Sequence, residues 1–434
     1  MSGLRAIRGE IVHFLGDPAD LGAAALAHFP DGLLIVRDGL VAELGPAPDL
    51  LPRLPAGTTI DDYRGKLVLP GFIDTHIHYA QTDIVASYGE QVLAWLEKYT
   101  YPTERRFADP AHAAAVAEFF CDELLRNGTT TAMAFATVHP ASVDALFAAA
   151  RKRHMRMIAG KVLMDRNCPD FLGDPTDRGE AESKALIERW HGRDRLLYAV
   201  TPRFAPTSTP AQMALAGRLF ADHPGIYLQS HLAENEREVA WVAKLYPEAR
   251  SYLDVYERYG QLGARSVFAH CVWIDDTDRG RMAATGAAVS FCPTSNLFLG
   301  SGLFDLDRAQ AAGVRVGLGT DVGGGTSFSM LQTLNEAYKV QQLRGQRLPV
   351  ERGFYLATRG GARSLYLDDR IGSFDTGREA DLVVLDPAAT PLLARRTAVA
   401  TTLAERLFAL MLLGDDRAVA ATHILGEPAW RRPC

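Results

Sequence analysis

Eight short apolar runs alternate with longer stretches of helical periodicity, and that alternation confines the chain to repeated βα units around a parallel sheet. The runs are 67–78, 129–137, 155–164, 196–202, 226–231, 266–271, 287–291 and 314–321. Each is nearly continuous in apolar residues, as a parallel strand covered on both faces must be. Between them the helices carry their own punctuation. Asp109-Pro110 supplies a capping side chain followed by a preset φ; Val116, Phe119, Phe120 and Leu124 then recur at helical spacing until Gly128 stops the run. Thr209-Pro210 repeats the start signal, and Pro140 with Ser142 opens a further helix. Eight strands with helices between them predict an α/β fold, a (β/α)8 TIM-like barrel.

The two ends of the chain have a different texture. Residues 10–14, 32–36 and 40–44 are short strand-like pieces separated by Gly, Pro and Asp, with no helix expected between Leu33 and Leu69. Residues 380–385 and 422–425 have the same character. A small β-sandwich domain assembled from both ends is therefore expected, made of residues 1–69 and 376–434, with the barrel at 70–375 inserted between its halves.

Composition narrows the partners. At 434 residues, with 47% hydrophobic and 23% charged, the chain has ample material for a large core. A net charge of -6 offers no broad cationic surface for phosphate backbones or anionic lipid, so neither nucleic acid nor a membrane is an expected partner. No apolar run is long enough to span a bilayer, and residues 1–10 do not read as a secretory leader. Cys121, Cys168, Cys271, Cys292 and Cys434 are odd in number and widely spaced, which fits reduced, mostly buried thiols and a cytoplasmic setting.

The chemistry concentrates at the ends of the expected barrel strands. In Pro70-Gly71-Phe72-Ile73-Asp74-Thr75-His76-Ile77-His78 the two histidines stand two apart on a strand, so both project to one face and can grip one ion. His231, His270 and Asp321 stand at or near the ends of the fifth, sixth and eighth strands. A barrel brings all these ends to one mouth, where residues remote in sequence converge. Imidazole nitrogens and a carboxylate oxygen suit zinc, and Fe(II) accepts the same set. A cation so held acidifies a bound water, and Glu234, just past the fifth strand, is placed to take the proton; the competing role for Glu234 is that of a first-turn helix residue. The fourth strand ends Thr201-Pro202-Arg203 without the lysine of a two-metal site, and Lys161 on the third strand is expected to be an ordinary ion-paired residue.

His76-Ile77-His78, His231 with Glu234, His270 and Gly319-Thr320-Asp321 resemble the amidohydrolase superfamily, in its order along the barrel. The segments 79–82 (YAQT), 88–90 (YGE), 102–106 (PTERR), 201–207 (TPRFAPT), 292–296 (CPTSN) and 323–327 (GGGTS) are similar to those of the guanine deaminases within it. The likeness spans most of the barrel and fades in the terminal β pieces. It implies that His76, His78, His231 and Asp321 bind one zinc ion, with Fe(II) the alternative, and that Glu234, His270 and Asp321 are catalytic. It further implies that Gln81, Arg203, Phe204 and His231 meet a purine substrate. Trp95, within residues 91–96, is read either as part of a lid over the pocket or as a helix aromatic packed on the barrel rim. Ala80 departs from the family's frequent proline, and Leu232-Ala233 occupies a position that varies; neither removes a functional side chain. The implied activity is hydrolysis of guanine to xanthine and ammonia by a homodimer, in purine breakdown and salvage. The alternatives are a related ring (a pterin, 8-oxoguanine or a triazine) or a barrel that has lost its reaction.

Overall fold

The structure, a computed structural model, describes residues 3–433, so Cys434 lies outside the described residues. Four strands open the chain: β1 (Leu4–Phe14), β2 (Leu26–Arg37), β3 (Leu40–Pro46) and β4 (Thr59–Pro70). The barrel strands follow: β5 (Phe72–His78), β6 (Thr129–Phe135), β7 (Arg156–Gly160), β8 (Val162–Leu163), β9 (Leu196–Pro202), β10 (Tyr227–Leu232), β11 (Ser266–His270), β12 (Ala288–Phe291) and β13 (Arg315–Leu318). Then come β14 (Leu382–Leu385), β15 (Val419–Ile424) and β16 (Glu427–Arg431).

Strands from both ends of the chain join one seven-stranded sheet in the order β16-β15-β14-β4-β1-β2-β3. The join is the antiparallel pairing of β14 with β4, in which Val383 stands opposite Leu69. The run 67–78, expected as one strand, is divided: Leu67–Pro70 belongs to this terminal sheet and Phe72–His78 to the barrel. Gly71 marks the division because the backbone there passes so close to β6 that an added Cβ would lie 2.2 Å from Thr130 Oγ1. A helical turn at Ala47–Leu50 occupies a stretch expected to hold none; Pro48 in that turn carries the φ that a helix start needs.

The barrel strands are parallel in the order β5-β6-β7-β9-β10-β11-β12-β13, with the short β8 continuing past Lys161 to pair with β9. β13 and β5 share no ladder. Their seam is stitched by Asp321 N–H to His76 O at 2.9 Å, His78 N–H to Val322 O at 2.8 Å and Thr75 Oγ1–H to Leu318 O at 2.9 Å. Every residue of β5, β6, β7, β11 and β12 is buried, because helices cover the outside and side chains fill the inside. Ile73, Met133, Ile158, Ala199, Tyr227, Val267 and Ala288 form an interior layer low in the barrel, plugged by Ala362, Leu365, Leu367 and Ile371. That closed floor leaves the other end, where the strands finish, as the place for a cavity.

The helix Pro110–Arg126 is capped by Asp109, whose side chain accepts from Ala111 N–H, and Gly128 at φ +81° ends it. Val116, Phe120 and Leu124 are buried, but Phe119 is 54% exposed, since it lies at the edge of the apolar stripe. Thr209 caps Pro210–Asp222 through Gln212 N–H. Among the described residues no helix is long and apolar enough to cross a membrane.

Candidate active site

β5 turns Asp74, His76 and His78 to the same side. Asp74, fully buried, accepts from His76 N–H and Thr320 N–H, each at 3.1 Å, and from Thr320 Oγ1–H at 2.5 Å. It thereby fixes the loop that carries Asp321 against the strand that carries the two histidines. His76 Nε2 and His78 Nε2 lie 3.2 and 3.3 Å from Asp321 Oδ1, and His78 Nε2 lies 3.1 Å from His231 Nε2. Donors bound to one tetrahedral ion at about 2.0–2.1 Å stand roughly 3.3 Å from each other, so four side chains from three strand ends already have the spacing of a coordination shell.

The protonation states suit ligation. His231 Nδ1 donates to Arg203 O at 2.6 Å, which leaves the electron pair on Nε2. Burial pushes the His78 imidazole down to about 3 and holds His231 well below its ordinary range, so both rings are neutral. Burial opposes the charge on Asp321, but His76 and its neighbours outweigh it and hold the carboxyl well below the carboxylate range. Among the described residues, the buried His76 Nε2 and His270 Nε2 have no hydrogen-bond partner. Neutral imidazoles, an ionised carboxylate and orphaned ring nitrogens are together the donor set that a divalent cation satisfies. Cys292 also approaches His76 and Asp321, but burial raises its thiol far above the range in which it would ionise.

His270 stands beside this cluster. Its Nδ1 is tied to Asn296 Oδ1 at 2.9 Å, and its Nε2 lies 3.5 Å from Glu234 Oε2 and 3.8 Å from Asp321 Oδ2. Glu234 is not in the first turn of a helix. Asn235 is the cap of the helix Glu236–Leu245, so Glu234 precedes that helix and its side chain is free to face the cleft. Ser301 Oγ–H donates to Glu234 Oε1 at 2.7 Å, and burial together with Asp321 raises the carboxyl to about 8. Glu238 completes a capping box: its Oε2 accepts from Glu234 N–H at 3.1 Å and Asn235 N–H at 3.2 Å, and its Oε1 from Tyr252 Oη–H at 2.7 Å.

His78, His231, Glu234, Glu238, His270 and Asp321 line one cleft with Gln81, Trp95, Arg203 and Phe204. Arg203 Nη1 contacts both oxygens of Glu104, at 3.0 and 2.9 Å, and its guanidinium lies over the Tyr101 ring. Gln81 Oε1 accepts from Gly323 N–H at 3.3 Å. Trp95 sits on the short helix Val92–Trp95, only 2% exposed, packed against Tyr99 and Phe298 at the rim of the cleft. Lys161 lies outside the cleft, buried in an ion pair with Asp174 and 3.3 Å from Glu182.

Of the residues singled out in the sequence, His78, Gln81, Trp95, Arg203, Phe204, His231, Glu234, His270 and Asp321 line this cleft, while His76 lies behind it against His78, His231 and Asp321. Sequence reasoning missed Glu104, Glu238, Asn296 and Ser301. Glu238 was within reach, because Asn235 and Glu238 have capping-box spacing; Glu104 and Asn296 stood inside quoted motifs with no role; Ser301 gave no signal, being an ordinary loop serine until the fold brings it to Glu234.

A model of the amidohydrolase family matches residues 67–428. The chain is 52% identical to a guanine deaminase of Escherichia coli strain K12 over 100% of both chains. It superposes on the solved E. coli guanine deaminase with a TM-score of 0.96, at 50% identity and over 100% of both chains. It also superposes on a guanine deaminase of C. acetobutylicum, solved with guanine in its active site, with a TM-score of 0.88 at 27% identity, covering 98% of this chain and 100% of that one. The chain belongs to the amidohydrolase family and, within it, to the guanine deaminases.

Proposed function

We propose that the protein hydrolyses guanine to xanthine and ammonia, with His76, His78, His231 and Asp321 as the ligands of one zinc or Fe(II) ion. The ion would supply an acidified water molecule as the nucleophile. Glu234, whose burial favours a carboxyl able to gain and lose a proton near neutrality, takes a proton from that water and returns it to a ring nitrogen beside C2. Carbon C2 then carries both the new hydroxyl and the amino group; Glu234 relays the hydroxyl proton to the amino group, which leaves as ammonia as the C2 carbonyl forms. His270, oriented by Asn296, and Asp321 steady the charge that develops there. Arg203 and Gln81 meet the ring's carbonyl and nitrogens, and Phe204 offers it an aromatic face.

The observation that carries this proposal is the sharing of one cleft by a ligand-ready His and Asp cluster and by Gln81, Arg203 and Phe204. Purified protein supplied with one equivalent of zinc is expected to form xanthine from guanine. Chelation should abolish turnover, and readdition of a single equivalent should restore it. Metal-loaded protein that leaves guanine intact while hydrolysing a pterin or 8-oxoguanine would overturn the substrate assignment.

A further inference from the structure

Arg203 is the one Lys or Arg side chain that lines the cleft among the described residues. It is 2% exposed, and an uncompensated guanidinium buried to that degree would favour an anionic ring over a neutral one. Glu104 prevents this. Both its oxygens hold Nη1, and no hydrogen bond from Nε or Nη2 to a protein acceptor occurs among the described residues, so these nitrogens remain as donors. Glu104 is itself fully buried, so solvent does not compete for the pair. Burial opposes the Arg203 charge, yet Glu104 and Tyr101 outweigh it and keep the guanidinium protonated; burial pushes Glu104 up, and Arg203 and Gln81 pull it back. Glu104 does not itself line the cleft, so it acts through Arg203 as a positioning residue.

We propose that Glu104 makes this pocket selective for uncharged purine lactams over anionic ones, by cancelling the charge of Arg203 while fixing the direction of its remaining donors. This rests on the purine-binding role given to Arg203 above, but it is tested by binding rather than by turnover. The zinc-loaded protein, Glu104→Gln and Arg203→Gln are titrated calorimetrically at pH 7 with hypoxanthine, which is neutral, and urate, which is a monoanion. In Glu104→Gln the ratio of the urate Kd to the hypoxanthine Kd should fall by at least about tenfold, because the guanidinium is left without its counter-ion. In Arg203→Gln, where the carboxylate is left alone, the ratio should rise. The two shifts have opposite signs, which simple loosening of the pocket does not produce. A ratio unchanged in either folded, metal-replete variant overturns the proposal, and Arg203→Gln alone decides it if Glu104→Gln does not fold. A protein that shows both shifts yet releases no ammonia from guanine would refute the proposed reaction and leave the charge selection standing.

Discussion

At Glu234 two requirements meet: the carboxyl must exchange a proton near neutral pH, and it must point at the cleft rather than join a helix. Burial meets the first, and Asn235 meets the second by taking the cap position in its place. Replacement by glutamine keeps the size and a bond with Ser301 but removes the proton acceptor. Glu234→Gln should lower kcat by about 10²- to 10⁴-fold while metal analysis still finds one ion per chain. Loss of the ion along with activity would instead make Glu234 part of the ligand cluster. The backbone supports the same site at some cost. Ala233, His270 and Asp321 have φ of 49°, 71° and 52°, a region that non-glycine residues enter at about 1–3 kcal/mol each and keep only where surroundings dictate it. Asp74 supplies part of that constraint at Asp321 by holding the neighbouring Thr320.

Among the elements, the helix Pro210–Asp222 shows how tightly the outer ring is fitted. Gly217 faces the segment at Tyr259, where an added Cβ would lie 1.8 Å from the Tyr259 carbonyl oxygen. Helix and loop must then separate, so Gly217→Ala should destabilise the fold by about 1–3 kcal/mol, read as a lower denaturation midpoint at an unchanged m value. On β1, His13 is 4% exposed and its Nδ1 accepts from Phe374 N–H at 3.2 Å. Burial lowers its pKa from 6.5 to about 4. The unfolded chain therefore binds the extra proton between those values, and stability must fall as pH is lowered through that window. The loss approaches about 3 kcal/mol at the lower end. A His13→Gln variant should show a correspondingly flatter decline between pH 6.5 and 4; an identical decline would assign the acid sensitivity to other groups.

Over the whole molecule, the barrel and the terminal sheet are locked by ionised groups as well as by apolar packing. Arg195, just before β9, reaches Asp381 and Glu379 beside β14, and Arg156 on β7 reaches Glu379. Asp381 also accepts from Leu425 N–H at 2.9 Å, and its carbonyl accepts from Gly71 N–H at 3.0 Å. One acid thus touches the barrel, the start of β5 and the last hairpin. Asp381→Ala leaves Arg195 largely buried with one counter-ion fewer and should cost about 3–5 kcal/mol in thermal or chemical unfolding. If barrel and sheet unfold as one unit, both shift together; separate transitions would show that this contact alone couples them.

Amino-acid order alone determined the barrel, because a period of two in strands and near 3.6 in helices is local, as are the Asp109-Pro110 and Thr209-Pro210 starts. It also determined the ligand types, since His76 and His78 share a face by strand geometry and the other candidates stand at strand ends. The division at Gly71 was decided only in three dimensions, because it depends on how near β6 passes. So was the partnership of Glu104 with Arg203, 99 residues apart in sequence, and of Ser301 with Glu234, 67 apart. Burial and neighbouring charges together set the charge states at the site, and both follow from which elements pack together, a property that no single segment of the chain contains.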